Sequence, residues 1–290
     1  MKLILLSFAT LDLKKSIERF ISQATHANYY DKIIIKNPQN ISLDNKNKIN
    51  FYLRKGKKRG YAYWYWKPLL LLEILTNLNS NDIIHYLDIG FHIKKNKNNR
   101  LNEYLDFIKS ETNWILPFQY FPLNSKNIEN ISFPEREEYK YSKADLIDYF
   151  NLRNDKIINT AQFSAGNFFI KKNPLAIKFV KEWLSVFENR FDLVDDTSSQ
   201  IKNHPDFIEN RHDQSVFSML CKTNYLKSFP AYEFDWAIKD DQRTWDHNLD
   251  YPFLAKRDLK YNLLRRFINR QIKNYKRLKK KLVNFYLKIN

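Results

Sequence analysis

Four short segments gather residues able to do chemistry. The first, Tyr86-Leu87-Asp88-Ile89-Gly90, ends an apolar run on an acid. A carboxylate at the carboxyl end of a strand lies where open α/β sheets bind ligands. It can hold a divalent cation against a diphosphate, and a nearby glycine lets backbone approach closely. The same pattern also makes a plain turn. The second segment, from Arg59 to Pro68, places five aromatics in the six positions Tyr61 to Trp66, flanked by Arg59 and Lys67. Aromatic faces stack on a base or a sugar ring and cations meet phosphate. A packed helix start with exposed charges is the alternative. The third, Arg211-His212-Asp213-Gln214-Ser215, puts a carboxylate in a predicted first helical turn, where the helix dipole favours it. Asp213 there can accept a proton from a hydroxyl or orient a sugar; a capping acid beside a solvated His is the other reading. The fourth, Thr160 to Lys172, carries Ser164-Ala165-Gly166 inside a strand pattern, which marks either a close approach by ligand or a simple bulge.

Other chemistries lack their residues. There is no phosphate-binding Gly-rich loop, no Gly-x-Gly-x-x-Gly and no His-Glu-x-x-His. Six His and one Cys build no zinc finger. The single Cys221, beside Met219 and Leu220, reads as a buried thiol and allows no intramolecular disulfide, in keeping with a reducing compartment.

The elements that must position these groups follow from periodicity. Leu3–Phe8 reads as a buried strand, Leu13–Ala27 as a helix with Ile17, Phe20, Ile21 and Ala24 on one face, and Lys32–Ile35 as a second strand. That is the βαβ pattern of a parallel sheet. A long helix is expected over Tyr61–Leu78, with Pro68 near its first turn, then a strand over Asp82–Leu87 leading straight into Asp88. A helix over 100–109, strands over 114–118 and 162–171, the latter broken at Ala165-Gly166, and a helix over 173–187 opened by Pro174 complete most of the chain. A helix over Arg211–Lys222 is expected to be capped by Asn210. Residues 119–160 and 192–208 show no clear period, and 228–256 is rich in Trp, Tyr and Asp.

With 290 residues, 43% hydrophobic and 16% aromatic, the chain can bury a sizeable core. The formal charge of +17 suggests nucleic acid until its distribution is read. Lys256–Asn290 holds thirteen Lys or Arg and one acid, Asp258, for +12, which leaves +5 on the other 255 residues. Nucleic-acid binding would need basic and aromatic residues interleaved across the body, so no nucleic-acid partner is expected. The division is therefore a domain over 1–255 and a basic amphipathic helical tail over 256–290, whose apolar positions include Leu259, Leu263, Leu264, Phe267, Ile268 and Ile272. Such a helix suits an anionic membrane surface; a solvated or packed terminal helix is the alternative. The apolar run Leu3–Thr10 ends at Asp12 without a cleavage site, and Leu69–Leu72 stops at Glu73. A cytoplasmic location is expected, with the tail offering peripheral attachment to the inner face of the cytoplasmic membrane.

In order, Ser7-Phe8-Ala9-Thr10, Arg-Gly-Tyr-x-Tyr-Trp-x-Trp-Lys-Pro, Tyr-Leu-Asp-x-Gly, Gln-x-Ser-Ala-Gly with Lys-Lys-Asn, and Arg-His-Asp-Gln-Ser resemble the bacterial GT-A-type glycosyltransferases of capsule and lipopolysaccharide biosynthesis. The resemblance spans roughly residues 3 to 222 and is most specific at Trp66-Lys67-Pro68 and His212-Asp213-Gln214-Ser215. It implies an α/β fold with a Rossmann-type mixed sheet flanked by helices. It also implies transfer of a sugar from a nucleotide-diphosphate sugar to a surface-polysaccharide or lipid-linked glycan, with Mn²⁺ or Mg²⁺ as cofactor. Ser7, Phe8, Thr10, Arg59, Tyr61, Trp64, Lys67, Asp88 and Gly90 would then border the donor. Gly166, Asn167, His212 and Gln214 would border the sugar or acceptor, and Asp213 would be the catalytic base or the sugar-orienting carboxylate. Asp88 and a late His, for which His247 is available, would hold the metal. The second acid of the family's usual Asp-x-Asp is Gly90 here. A catalytically inactive sugar-binding relative is the alternative within this resemblance.

Overall fold

The computed structural model describes residues 1–123, 130–256 and 271. The chain divides into units Met1–Lys256 and Arg257–Asn290. Apart from Lys256 and Gln271, the basic tail lies outside the described residues.

Six strands form the central sheet: β1 (Leu3–Phe8), β2 (Lys32–Lys36), β3 (Ile83–Leu87), β4 (Ile115–Gln119), β5 (Phe163–Lys171) and β6 (Phe229–Pro230), in the order β2-β1-β3-β5-β4-β6. β1 pairs parallel with β2 and with β3, as the βαβ pattern requires, whereas β5 runs antiparallel to both β3 and β4. The α/β class with a mixed, helix-flanked sheet is what the chain adopts.

Side-chain alternation along the strands divides the core. Leu6, Phe8, Ile84, Tyr86, Phe168 and Ile170 join one cluster with helices α2 (Trp66–Thr76), α4 (Pro174–Asn189) and α5 (Asp213–Thr223). Leu3, Leu5, Ile83, Leu87 and Phe169 join another with α1 (Lys14–Ala27) and α3 (Asn98–Lys109). Trp183 and Phe217 are fully buried on the first face, each contributing roughly 1.5–3 kcal/mol relative to exposure. α4 starts as its sequence dictates: Asn173 Oδ1 accepts from the Ala176 amide and Pro174 follows.

Three local expectations fail. The helix expected from Tyr61 starts at Trp66, because Tyr61, Ala62, Tyr63 and Trp64 all take positive φ and make a left-handed turn. Asn210 does not cap α5; its amide donates to the Leu193 and Val194 carbonyls, and His212, at φ 56°, precedes the helix instead. β5 is not broken at Ala165-Gly166. It runs through, but its register against β4 jumps from Leu116↔Phe169 to Phe118↔Ser164. Within the unparsed 119–160 region, short helices span Glu138–Tyr141, Ala144–Tyr149 and Asp155–Ile158. Among the described residues, no helix is long and apolar enough to cross a membrane.

Candidate active site

The carboxyl end of β3 delivers Asp88 beyond the sheet, beside the point where β1 and β2 run parallel on one side and β5 antiparallel on the other. A turn follows through Ile89 and Gly90, closed by the Phe91 amide donating to Asp88 O at 2.9 Å. The Asp88 amide donates to Gly166 O at 2.9 Å, which fixes the irregular part of β5 against it. A Cβ on Gly166 would stand 3.0 Å from Asp88 Oδ2 and 3.5 Å from the Phe91 ring, so glycine here is what lets the strand approach the carboxylate.

Lys67 organises the centre. Carried in the first turn of α2 and only 2% exposed, its Nζ donates to Asp213 Oδ2 at 2.5 Å and to Ala165 O at 3.0 Å. It lies 3.7 Å from Asp88 Oδ1 and 5.0 Å from the centre of the Tyr86 ring. Burial pulls the lysine's pKa down, but the charges of Asp213 and Asp88 outweigh it and hold the ammonium above its ordinary value. Asp213, the first residue of α5, is buried; desolvation lifts its carboxyl to about 6, against the pull of Lys67 and with a further push from Asp88. The Tyr86 hydroxyl donates to Asp88 Oδ1 at 2.6 Å, and burial raises its pKa well above the usual phenol range. Asp88 is the open member, its side chain 36% exposed.

An aromatic wall adjoins this centre. The Trp64 ring stacks on His212 at 5.6 Å, and Tyr63 meets the same imidazole edge-on at 5.0 Å. His212 Nδ1 donates to Val194 O at 2.6 Å, which leaves Nε2 bare; that nitrogen is buried with no hydrogen-bond partner. Burial holds the imidazole below its ordinary pKa, so it stays neutral. The wall depends on Gly60: at φ +55°, a Cβ there would fall 2.5 Å from the Trp64 ring. The left-handed turn that follows is costly for non-glycine residues. It is tied down by Arg59 and Tyr63, which both bond Asp196, and by the Trp66 indole donating to Gly60 O. Phe8 stacks on Trp66 at 4.1 Å and on Tyr61 at 5.8 Å, joining the end of β1 to the turn.

The remaining singled-out residues spread around this core. Ser7 is buried on the other sheet face, its Oγ without a hydrogen-bond partner, and Thr10 bonds Asp12. Gln214 Nε2 donates to Gln162 Oε1 at 2.9 Å, away from Lys67. Asn167 turns to the opposite face of the sheet, where its Oδ1 accepts from His85 Nε2 at 2.8 Å. His247 is buried, donates Nε2 to Asp235 O at 3.0 Å and packs against Phe133. Among the described residues, no three His, Cys, Asp or Glu gather to hold a metal. Asp88 Oδ2, on the open carboxylate, is the oxygen that fits one, since Mg²⁺ is commonly held by one or two carboxylates plus substrate phosphates. Lys67 already occupies the space between Asp88 and Asp213.

Two contributors carry no local sequence signal: the Tyr86 hydroxyl lies within an apolar strand, and Asp196 lies in 192–208, which shows no clear period.

No protein-family model matches the chain, and no curated protein matches its sequence. Solved structures similar to it are glycosyltransferases. Mouse xyloside xylosyltransferase 1 is 12% identical, with 81% of this chain and 87% of that chain covered, at a TM-score of 0.43. The galactosyltransferase LgtC, solved with donor and acceptor sugar analogues, is 12% identical over 80% and 75% of the two chains, at 0.41. GlyE of Streptococcus pneumoniae is 13% identical over 81% of this chain at 0.40, and the match spans 46% of GlyE. Each is a distant likeness.

Proposed function

We propose that the protein transfers a sugar from a nucleotide-diphosphate sugar to a glycan or lipid-linked acceptor at the site built by Asp88, Lys67 and Asp213. The observation that carries this reading is one open carboxylate at a strand's carboxyl end, tied through a buried lysine to a second carboxylate whose pKa lies near 6. A base with a pKa close to working pH is suited to take a hydroxyl proton. The order of the five sequence segments supports the same reading.

In an inverting transfer, the acceptor oxygen attacks the anomeric carbon while the bond to the diphosphate breaks and its electron pair leaves with the phosphate. The hydroxyl proton passes to Asp213. Lys67 holds Asp213 in place and supplies fixed positive charge beside the developing negative charge. The partly exposed Trp64, backed by His212, is the stacking surface offered to a ring. A divalent ion, Mn²⁺ or Mg²⁺, would be held by Asp88 together with the donor's phosphates, and its chemistry when bound is to neutralise the leaving diphosphate.

A thermal-shift screen of nucleotide-sugars, with and without Mn²⁺, identifies the donor, because a ligand that binds the native state raises its stability. The configuration of the product separates the base role of Asp213 from a retaining transfer, in which it would face an oxocarbenium-like sugar. Donor turnover by the wild type that Asp88→Ala and Asp213→Ala abolish supports the reading; no turnover of any donor would make this a sugar-binding relative. Attachment to the cytoplasmic membrane through 256–290 is part of the same proposal. It fails if deleting 257–290 leaves sedimentation with anionic vesicles unchanged.

A further inference from the structure

Outside the Lys67 centre, one buried and one half-buried arginine lie without a carboxylate at hydrogen-bond distance. Arg136 is 8% exposed, its guanidinium 5.2 Å from the centre of the Tyr120 ring and 5.4 Å from that of Trp236. Its Nε is buried with no hydrogen-bond partner. Arg211 lies 3.9 Å over the Tyr141 ring. Carboxylates are near but do not bond: Asp235 Oδ2 is 3.8 Å from the Arg136 guanidinium and Glu209 Oε1 is 4.0 Å from Arg211 Nε. A charge-assisted bond needs about 2.7–2.9 Å. The other Asp235 oxygen is occupied by the Trp236 amide at 2.9 Å. Burial, and next the charge of Arg136, hold Arg211 below its ordinary pKa. A buried guanidinium nitrogen without an acceptor, as in Arg136, is unfavourable by itself and favoured once an anion arrives.

Their place in the fold connects them to the centre already described. Arg136 O accepts from the Gln162 amide at 2.8 Å, and the Gln162 side chain donates to Tyr141 O at 3.1 Å. The same Tyr141 carbonyl accepts from the Arg211 amide at 3.2 Å. Gln162 leads directly into β5, whose Gly166 touches Asp88, while Arg211 lies two residues before Asp213. Both arginines therefore lie on the edge of the sheet where β3 and β4 end. Arginine's planar fork matches phosphate oxygens bidentately, and the flanking rings lower the local dielectric in which that bond forms.

We propose that Arg136 and Arg211 form a phosphate subsite, flanked by Tyr120, Tyr141 and Trp236, that takes a phosphate or diphosphate group of a substrate of this site. The assignment to a substrate rests on the transferase reading above; the anion site itself does not. Two sources carry this chemistry, the diphosphate of a nucleotide donor and the phosphate of a lipid-linked acceptor.

The test is calorimetric titration of the full chain with inorganic pyrophosphate, for the wild type and for Arg136→Gln, Arg211→Gln and the two Lys variants. Wild-type binding that weakens with salt is expected, with a loss of about tenfold or more in each Gln variant and partial recovery in the Lys variants. The proposal is overturned if the wild type does not bind pyrophosphate, or if Gln variants with the wild-type circular dichroism spectrum bind it as tightly as wild type. Should the Gln variants not fold, the Lys variants decide, since losing the bidentate fork must weaken binding several-fold. Repeating the titration with a panel of nucleoside diphosphates and with decyl diphosphate identifies the source. The ligand that loses affinity in the variants is the one the subsite takes. Arginine-dependent pyrophosphate binding without turnover of any nucleotide-sugar keeps the subsite and refutes the transferase reading. Turnover that neither substitution alters, with pyrophosphate binding also unaltered, keeps the reading and refutes the subsite.

Discussion

On one face of β3, Tyr86 gives its hydroxyl to Asp88 beside buried Lys67 and Asp213. On the other face, one residue earlier, His85 donates to Asn167, accepts from the Tyr30 hydroxyl at 2.8 Å and stacks on Phe169 at 3.9 Å. Both groups are buried and polar. The first is charged, carries a carboxyl lifted to about 6, and opens to solvent through Asp88. The second is neutral: burial drives the His85 pKa down to about 3, and both ring nitrogens are bonded. Adjacent positions in one strand thus build a reactive centre and a structural clamp. The difference is whether charge is retained or removed on burial.

The largest effect should come from removing the central cation. Lys67→Met leaves Asp213 buried without its partner, which should cost about 3–5 kcal/mol of stability, read by urea unfolding. Asp213 should then take up a proton at higher pH, and transfer should be lost. A Lys67→Met protein as stable and active as wild type would place the charge elsewhere.

Gly166→Ala should come next, with turnover reduced about tenfold or more by displacement of Asp88, while the melting temperature changes little. Chelation should weaken donor-induced stabilisation about tenfold in wild type and have no further effect in Asp88→Asn. An equal response in both would separate the metal from Asp88.

The clamp should matter least to turnover. His85→Phe should keep activity within about twofold while costing ~1–3 kcal/mol through unsatisfied Tyr30 and Asn167. Its pH dependence provides a sharper contrast. A His held neutral below its unfolded pKa loses stability as pH falls from about 6.5 toward 3, by up to ~1.4 kcal/mol per unit. Asp213 has the opposite sign, because its folded carboxyl holds a proton that the unfolded chain has released between about 6 and the ordinary 3.8. On acidification from pH 6.5 to 4.5, the penalty of His85→Phe should shrink and that of Asp213→Asn should grow. Parallel slopes would erase the contrast between the two faces.

Much of the frame was legible in local pattern. The apolar runs of β1 and β3, the β-branched run of β2 and the Asn173-Pro174 start of α4 are short-range signals, and the structure obeys them. Asp88 at a strand end followed from the same reading. What the spacing could not show is that Lys67 joins Asp88 to Asp213, because three distant segments meet there only through the sheet and two helices. The left-handed turn before Trp66 was hidden for a different reason. Nothing in Tyr61–Trp64 signals positive φ, and the turn brings the Trp64 ring onto Gly60, where a Cβ would not fit. His85 was lost inside an apolar strand, and Arg136 lay in a stretch without period.

The central claim is that Asp213, held by Lys67, acts on a nucleotide-sugar bound at Asp88. Its most direct test is the pH profile of transfer from the donor identified by the stability screen, measured for wild type and Asp213→Asn. The account predicts a wild-type kcat/KM that rises through an apparent pKa of about 6 and then levels, with Asp213→Asn at least ~100-fold lower and without that rise. An Asp213→Asn protein with wild-type turnover and the same pH profile would contradict it.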